Sequence, residues 1–460
     1  MTWAVPQGPP FFCPCEGYDE GMPGRFDVIV VGAGPGGLSA AFTAARRGLR
    51  VLLIEQKPIE DAGRDWCDFV EAGVFAAAAF PFPPRETWHA VTSPSYASPD
   101  MQTTLRAQRP EILPFLYIDR KPLHAWMLAQ LPPNVTIVDR RRVVAPLRAG
   151  ARVFGVIVEH ARSHEEHRAP WVIDAGGLTA PIASQVPYDA GHRSEDLQPG
   201  DTYVARKEIR FAARPAFMTG SDDLMVPRWR GGFAWFVAHA AGTLDVGIAH
   251  PFEAAQGLSG DLQRLRTYAG VSGSPLRSGG GRLPARRCRT RLVGDGWAVV
   301  GDAAWQVNPA SGGGISPAIL AGGLAADAIA DACGARDPRA AVWRYPFTYF
   351  REQGAAFAGL DVLRRMFQAL GDRDVRRAMQ DGLLRYDDFL APMLHQRLPR
   401  PCAADAERLW AGRKSSLLLA KILAGFARAQ VLQAAYQALP DEQAARSIHR
   451  WEQRIRRLVR

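Results

Sequence analysis

The chain has 460 residues, enough for two or three domains, and its 47% hydrophobic and 22% charged residues are those of an ordinary globular protein. The net charge of +10 is carried by arginine, since the lysines are only Lys57, Lys121, Lys207, Lys414 and Lys421; these bases lie scattered among acids, which argues against a nucleic-acid surface. Six cysteines, Cys13, Cys15, Cys67, Cys288, Cys333 and Cys402, form no spaced framework, so neither disulfides nor a cysteine metal site is implied.

Residues 1–24 are rich in Pro and Gly and lack a charged start followed by an apolar run. A disordered leader without a signal peptide is expected, with Met22 as an alternative start to Met1, and a cytoplasmic location follows. The first element is a buried strand over residues 27–31, nearly all β-branched. It runs into Gly32-Ala33-Gly34-Pro35-Gly36-Gly37, where Gly32 and Gly34 supply the backbone angles of a sharp turn. The missing side chain at Gly34 lets the backbone approach a pyrophosphate, and Gly37 lets the following helix pack on the strand. That helix, opening near Pro35, aims unpaired N–H groups at the same anion. Val51 to Ile54 is the second strand, and Glu55 at its end is placed to accept from an adenosine ribose, with Gln56 beside it. The combination predicts a dinucleotide site.

Between Val135 and Ile173 further strands and a meander are expected, with Val143 added to the cofactor set. His160, His164 and His167 flank Glu165-Glu166 there, but the spacing is not His-Glu-x-x-His. A solvated hairpin tip between strands 153–159 and 171–173 is the simpler reading, and no metal is expected. Residues 186–284 read as an antiparallel substrate domain with strands over 202–211, 232–238 and 244–249. Phe233, Trp235 and Val237 alternate with Ala234 and Phe236 on the middle strand.

Trp297 to Val300 is another buried strand, and Gly301-Asp302 lies at its carboxyl end, where α/β sheets bind ligands. Asp302 can accept from a ribityl hydroxyl. After Pro309, the glycines Gly312, Gly313 and Gly314 precede an apolar helix starting at Ile315, whose positive end suits the edge of a flavin that becomes anionic on reduction. With the first motif, this selects FAD. Residues 336–460 are helical and basic. Leu418, Leu419, Ile422, Leu423 and Phe426 share a helix face flanked by Lys414, Lys421 and Arg428. That face is either a docking surface within the protein or an interfacial helix attracted to anionic lipid.

The run from Val299 to Leu324 resembles the second FAD motif of the geranylgeranyl reductase family, within the para-hydroxybenzoate-hydroxylase-like flavoproteins. Three other segments are similar to that family. Tyr117-Ile118-Asp119-Arg120 matches its helix-leading Asp-Arg, which implies that Arg120 lies on FAD. Phe233-Ala234-Trp235-Phe236, followed by Val246-Gly247-Ile248, matches its aromatic motif, and Cys67 stands where the family carries a cysteine beside the flavin. The aromatic motif ends in Val237-Ala238 rather than Phe-Pro, and Cys67-Asp68-Phe69 replaces a glycine-rich turn.

The resemblance implies an FAD-binding doubly wound (Rossmann-like) α/β domain at 25–185 and 285–335. An inserted antiparallel substrate domain at 186–284 and a C-terminal helical region at 336–460 complete it. It implies an oxidoreductase that reduces carbon–carbon double bonds of an isoprenoid or other lipid, with Cys67 a candidate proton donor. Phe233, Trp235 and Trp305 are expected to line the substrate cavity. With no second dinucleotide fingerprint, the electron donor is left open between NAD(P)H and a ferredoxin-like protein. The alternative is a flavin monooxygenase or halogenase acting on a small apolar or aromatic substrate; no lysine stands out in sequence for the halogenase.

Overall fold

The computed structural model describes residues 26–63, 65–160, 163–186, 197–229, 232–239, 242–400, 405–440 and 445–459. The leader expected at 1–24 lies outside them. Val28–Val31, four β-branched residues with no exposed face, is central in a six-stranded sheet. Val51–Ile54 and Trp171–Asp174 flank it in parallel, with Val28 opposite both Val51 and Trp171. Val135–Val138 extends one side. Trp297–Val299 extends the other, with a short antiparallel edge strand, Val293–Gly294, beyond it. The helices Pro35–Arg46 and Ile315–Gly334 cross at very close range on this sheet. A Cβ on Gly36 would lie 3.2 Å from the Ala318 carbonyl oxygen, and one on Gly322 would meet the Gly36 carbonyl oxygen. Small residues thus draw the two helix N-termini, one from each FAD motif, onto the same end of the sheet.

A second, seven-stranded sheet runs in the order Arg277–Pro284, Thr202–Phe211, Thr243–Pro251, Gly232–His239, Asp223–Trp229, Ser95–Ala97, Thr104–Leu105. Its neighbours are antiparallel except Asp223–Trp229 with Ser95–Ala97. The last two strands come from a stretch expected to belong with the FAD unit; they leave it because Tyr96 and Ala97 bury their apolar side chains against this sheet's own clusters. Leu258, Leu262 and Leu265 of the helix Leu258–Tyr268 cover one face, over Phe236, Val246 and Ile248. A three-stranded antiparallel sheet, Cys67–Glu71, Ile112–Asp119 and Trp88–Thr92, stands near the other.

The meander departs from expectation. Ser163–Arg168 is a strand paired along its length with Arg152–His160, so the histidines are on a sheet rather than at a hairpin tip. Alternation of exposed and half-buried residues, a period-two signal, was masked by their polarity. Among the described residues no group of His, Cys, Asp or Glu could hold a metal.

The helix Ser416–Gln437 lies on Ala355–Ala369, where Gly359 faces the Ala429 carbonyl and Gly425 faces Met366. Leu418, Ile422, Ala429 and Leu432 are buried, so part of the face considered for lipid is the docking face. Leu419 and Phe426 pack beside it. Burying each such Leu or Ile contributes about 1.5–3 kcal/mol.

Candidate functional site

Both FAD motifs open onto one cavity of about 750 Å³. Its lining includes Gly34, Pro35, Gly36 and Gly37 from the first motif and Asp302, Gly312, Gly313, Gly314 and Ile315 from the second. Arg120, the first residue of the helix Arg120–Ala129, also lines it; Asp119 caps that helix by accepting from the Lys121 N–H at 3.2 Å. Cys67, Phe233 and Trp235 belong to the same cavity. Residues predicted from stretches more than 200 positions apart therefore converge.

Each glycine in the first turn answers a different requirement. Gly32 has φ +93°, and a Cβ there would sit 2.6 Å from the Ala175 carbonyl oxygen. A Cβ on Gly37 would collide with the Gly32 carbonyl. Gly34 differs from the sequence expectation: its backbone is extended, with φ −69°, so the turn does not need it. A Cβ there meets no protein atom within 4 Å. The emptiness is the point, since a cradle of this shape fits a pyrophosphate brought against the helix N-terminus. The donor set and the open turn fit FAD.

Glu55 is buried and accepts from the Ala33 N–H (2.8 Å) and the Lys57 N–H (3.0 Å), so its carboxylate ties the glycine turn to the second strand. His124 Nε2 lies 3.0 Å from the Ala33 carbonyl on the other side. Sequence reasoning missed His124, whose single helical position carries no motif. Gly32, Ala33, Glu55, Gln56, Val143 and Pro309 do not line the cavity, and Val143 is a buried core residue of the strand Arg142–Ala149.

Trp305 is corrected. It is 1% exposed, lies outside the cavity lining and is sandwiched between Arg286 and Arg289, whose guanidiniums are 4.6 and 4.2 Å from its ring. Its backbone is left-handed, φ +60°, at the end of the turn Gly301–Ala304. Proximity in sequence to Asp302 was a misleading signal.

Part of the lining is aromatic and apolar, formed by Trp66, Phe233, Trp235, Met225, Leu283 and Met393, with Leu283 and Phe233 against Gly312. Strand register builds it. Lys207 is opposite Gly279 on one side and Gly247 on the other, and Gly247 is opposite Trp235. The Trp235 indole lies over Gly247, where a Cβ would overlap it, and Trp66 lies over Gly279. The two indoles are 6.1 Å apart, with the Lys207 ammonium 4.8 Å from the Trp66 ring. Lys207 is thus the buried lysine beside the cavity that the sequence did not single out. It is paired with Asp245 at 2.7 Å, and the Tyr117 hydroxyl donates to the same carboxylate oxygen at 2.6 Å.

Cys67 begins the strand Cys67–Glu71. Burial pushes its thiol up to about 11 despite the nearby Lys207 ammonium, so it keeps its proton at neutral pH. Asn308 donates to the Pro392 carbonyl at 2.8 Å and so draws the Met393 segment of the helical region over the cavity.

Residues 27–59 match the FAD dependent oxidoreductase family. The digeranylgeranylglycerophospholipid reductase of Sulfolobus acidocaldarius is 28% identical over 417 residues, covering 87% of this chain and 90% of that protein. One of the same description from Methanopyrus kandleri is 27% identical, covering 77% of this chain and 93% of its own. Among solved structures, a geranylgeranyl bacteriochlorophyll reductase-like protein of Thermoplasma acidophilum has a TM-score of 0.70 at 19% identity, covering 87% of this chain and 99% of that one. A flavin-dependent brominase has a TM-score of 0.57 at 18% identity, covering 78% of this chain and 91% of its own. The chain resembles the geranylgeranyl reductases in sequence, and its fold and cofactor class are those of an FAD-dependent oxidoreductase.

Proposed function

We propose that this protein reduces carbon–carbon double bonds in an isoprenoid or comparable lipid chain. The observation that carries the reading is the single cavity in which the FAD cradle meets an apolar aromatic wall. The similarity to digeranylgeranylglycerophospholipid reductases supports it. Reduced FAD supplies a hydride when bound. Gly34–Gly37 and the helix from Pro35 would receive its pyrophosphate, with Glu55 holding that turn from behind; Arg120 would flank it, and Asp302 with Gly312–Gly314 would receive the ribityl and ring edge. Phe233 and Trp235 exclude water and orient the alkene. Residues 25–185 and 285–335 hold the cofactor, 186–284 supply the substrate wall, and 336–460 close over it. NAD(P)H or a ferredoxin-like protein restores the electrons from outside.

The test is mass spectrometry of lipid co-purified with the protein, before and after anaerobic reduction. Reduction is expected to add two hydrogens per double bond. An unaltered lipid, with rapid oxygen uptake driven by NAD(P)H, would favour a monooxygenase instead. The halogenase reading is the weaker one, because Lys207 is committed to Asp245 rather than presented to the cavity.

The C-terminal helices supply the route for a lipid. Ser416–Gln437 is apolar enough to cross a membrane by length and composition, yet only 22% of its apolar window is buried. Its outward side carries Leu417, 71% exposed, with Leu423 and Val431; Trp410, 70% exposed, precedes it. No Asp or Glu occurs between Arg408 and Pro440, while Arg413, Lys421 and Arg428 do. This side rests on an anionic bilayer in our reading. Each basic residue near such a surface contributes about 1 kcal/mol. Lys421→Glu with Arg428→Glu is therefore expected to weaken sedimentation with phosphatidylglycerol vesicles by roughly thirtyfold or more at low salt. Equal sedimentation of both proteins would remove the membrane from the proposal and leave the chemistry standing.

A further inference from the structure

We propose that Tyr117, held by Asp245 and Lys207, delivers the proton to the substrate double bond and is refilled from solvent along His239 and His89. The assignment rests on the reading of the cavity as an alkene-reducing site.

Three strands bring the groups together. Tyr117 is on Ile112–Asp119, Lys207 on Thr202–Phe211 and Asp245 on Thr243–Pro251. Both the Tyr117 hydroxyl and the Lys207 ammonium donate to Asp245 Oδ2, at 2.6 and 2.7 Å. The lysine and aspartate side chains are 3% and 0% exposed. A buried ion pair stabilises a sheet poorly, because desolvating two charges offsets most of their attraction. Here Asp245 Oδ1 is also buried without a partner, which a purely structural pair would avoid. Tyr117 lines the cavity with Cys67, and the indoles of Trp66 and Trp235 form the adjoining wall.

On the far side the ring of Tyr117 is 5.3 Å from that of His239, whose Nε2 is buried without a partner. His239 is 6.2 Å from His89, which is exposed and lies opposite Tyr117 in the strand register. The rings of His89, His239 and Tyr117 thus follow one another from the surface to the cavity.

The reduction adds a hydrogen to each of two carbons. One carbon receives the hydride, with its electron pair, from the reduced cofactor; the other receives a proton as the Tyr117 O–H bond breaks and a C–H bond forms. The phenolate left behind lies beside the Asp245 carboxylate, whose charge Lys207 balances, and is driven to regain its proton from solvent through His239. Burial, and then the Asp245 charge, raise the pKa of Tyr117 well above the usual phenol value, so the donor is always loaded. Lys207 and Asp245 are positioning residues, and Cys67 and Asp223 are the other ionisable neighbours on the strands packed against Tyr117.

The test uses holoenzyme reduced with dithionite without oxygen and geranylgeraniol as probe, in single turnover. Tyr117→Phe is expected to slow flavin reoxidation by geranylgeraniol on the order of 10²-fold or more, with FAD content and reduction by dithionite unchanged. His164→Ala, on the exposed strand Ser163–Arg168, is the control and is expected to match the parent. An inert parent enzyme would sink the alkene-reductase reading. An active parent with Tyr117→Phe equally fast would overturn this assignment alone. A second measurement needs no substrate: in protein carrying ¹³C-labelled tyrosine, the resonance lost in Tyr117→Phe should ionise at lower pH in Asp245→Asn than in the parent. Identical titrations would also overturn it.

Discussion

Gly34→Leu is expected to give folded protein that carries no FAD. A Cβ there has no protein atom within 4 Å and faces the cavity, so the turn itself does not have to move. The leucine side chain fills the volume that the pyrophosphate must occupy. The neighbouring glycines make the contrast. At Gly37 even a methyl group collides with the Gly32 carbonyl, so that substitution should cost the turn itself. Flavin absorbance per protein, measured after purification alongside circular dichroism, separates the cases. Full FAD occupancy in Gly34→Leu would contradict the cofactor assignment.

The next largest effect is expected at Asp361. This carboxylate is buried in the helix Ala355–Ala369 and holds Arg287 at 3.4 Å, Arg364 at 2.7 Å and Arg365 at 3.4 Å. Asp201 shares Arg364 and Arg365 and also takes Arg286 at 3.1 Å. Removing one partner from a buried ionic cluster strands the others, at a cost of about 3–5 kcal/mol, so Asp361→Asn should lower unfolding stability by that order. Burial alone would raise the Asp361 pKa, but Arg364, Arg365 and Arg287 outweigh it and hold the carboxyl well below the usual range. The contribution is therefore complete above the unfolded value, about 4, and declines as pH falls through the lowered native value. Urea titrations from pH 7 into acid should show the difference between parent and variant shrinking. A pH-independent difference would mean that packing, not charge, is what the substitution removes.

The cofactor cradle was legible because its physics is local: a β-branched strand, a glycine turn and a helix start follow one another within about ten residues, and each residue type answers a steric demand of its neighbours. The aromatic strand was legible by period two, which put Phe233 and Trp235 on one face. What failed depends on contacts that sequence distance hides. Trp305 was misplaced because its partners Arg286 and Arg289 lie on a different segment, and their guanidiniums hold its ring in the core. On the helix Ser416–Gln437 spacing did pick out the covered side, since Leu418 and Ile422 of the predicted face are buried, but not the exposed Leu417 and Val431 beyond it. Lys207 was invisible because its meaning comes from cross-strand register with Gly279 and Gly247 and from Asp245, thirty-eight positions away.

The glycine recesses under the two indoles have a consequence for what the cavity admits. Trp235 and Trp66 can lie low only because Gly247 and Gly279 have nothing beneath them. The width of the cavity is then decided in part from behind its visible surface, by Gly247, which does not line it. A single methyl group added at Gly247 would lift an entire indole toward the guest, so natural or laboratory variation could narrow the enzyme's tastes without altering one residue of the wall it presents.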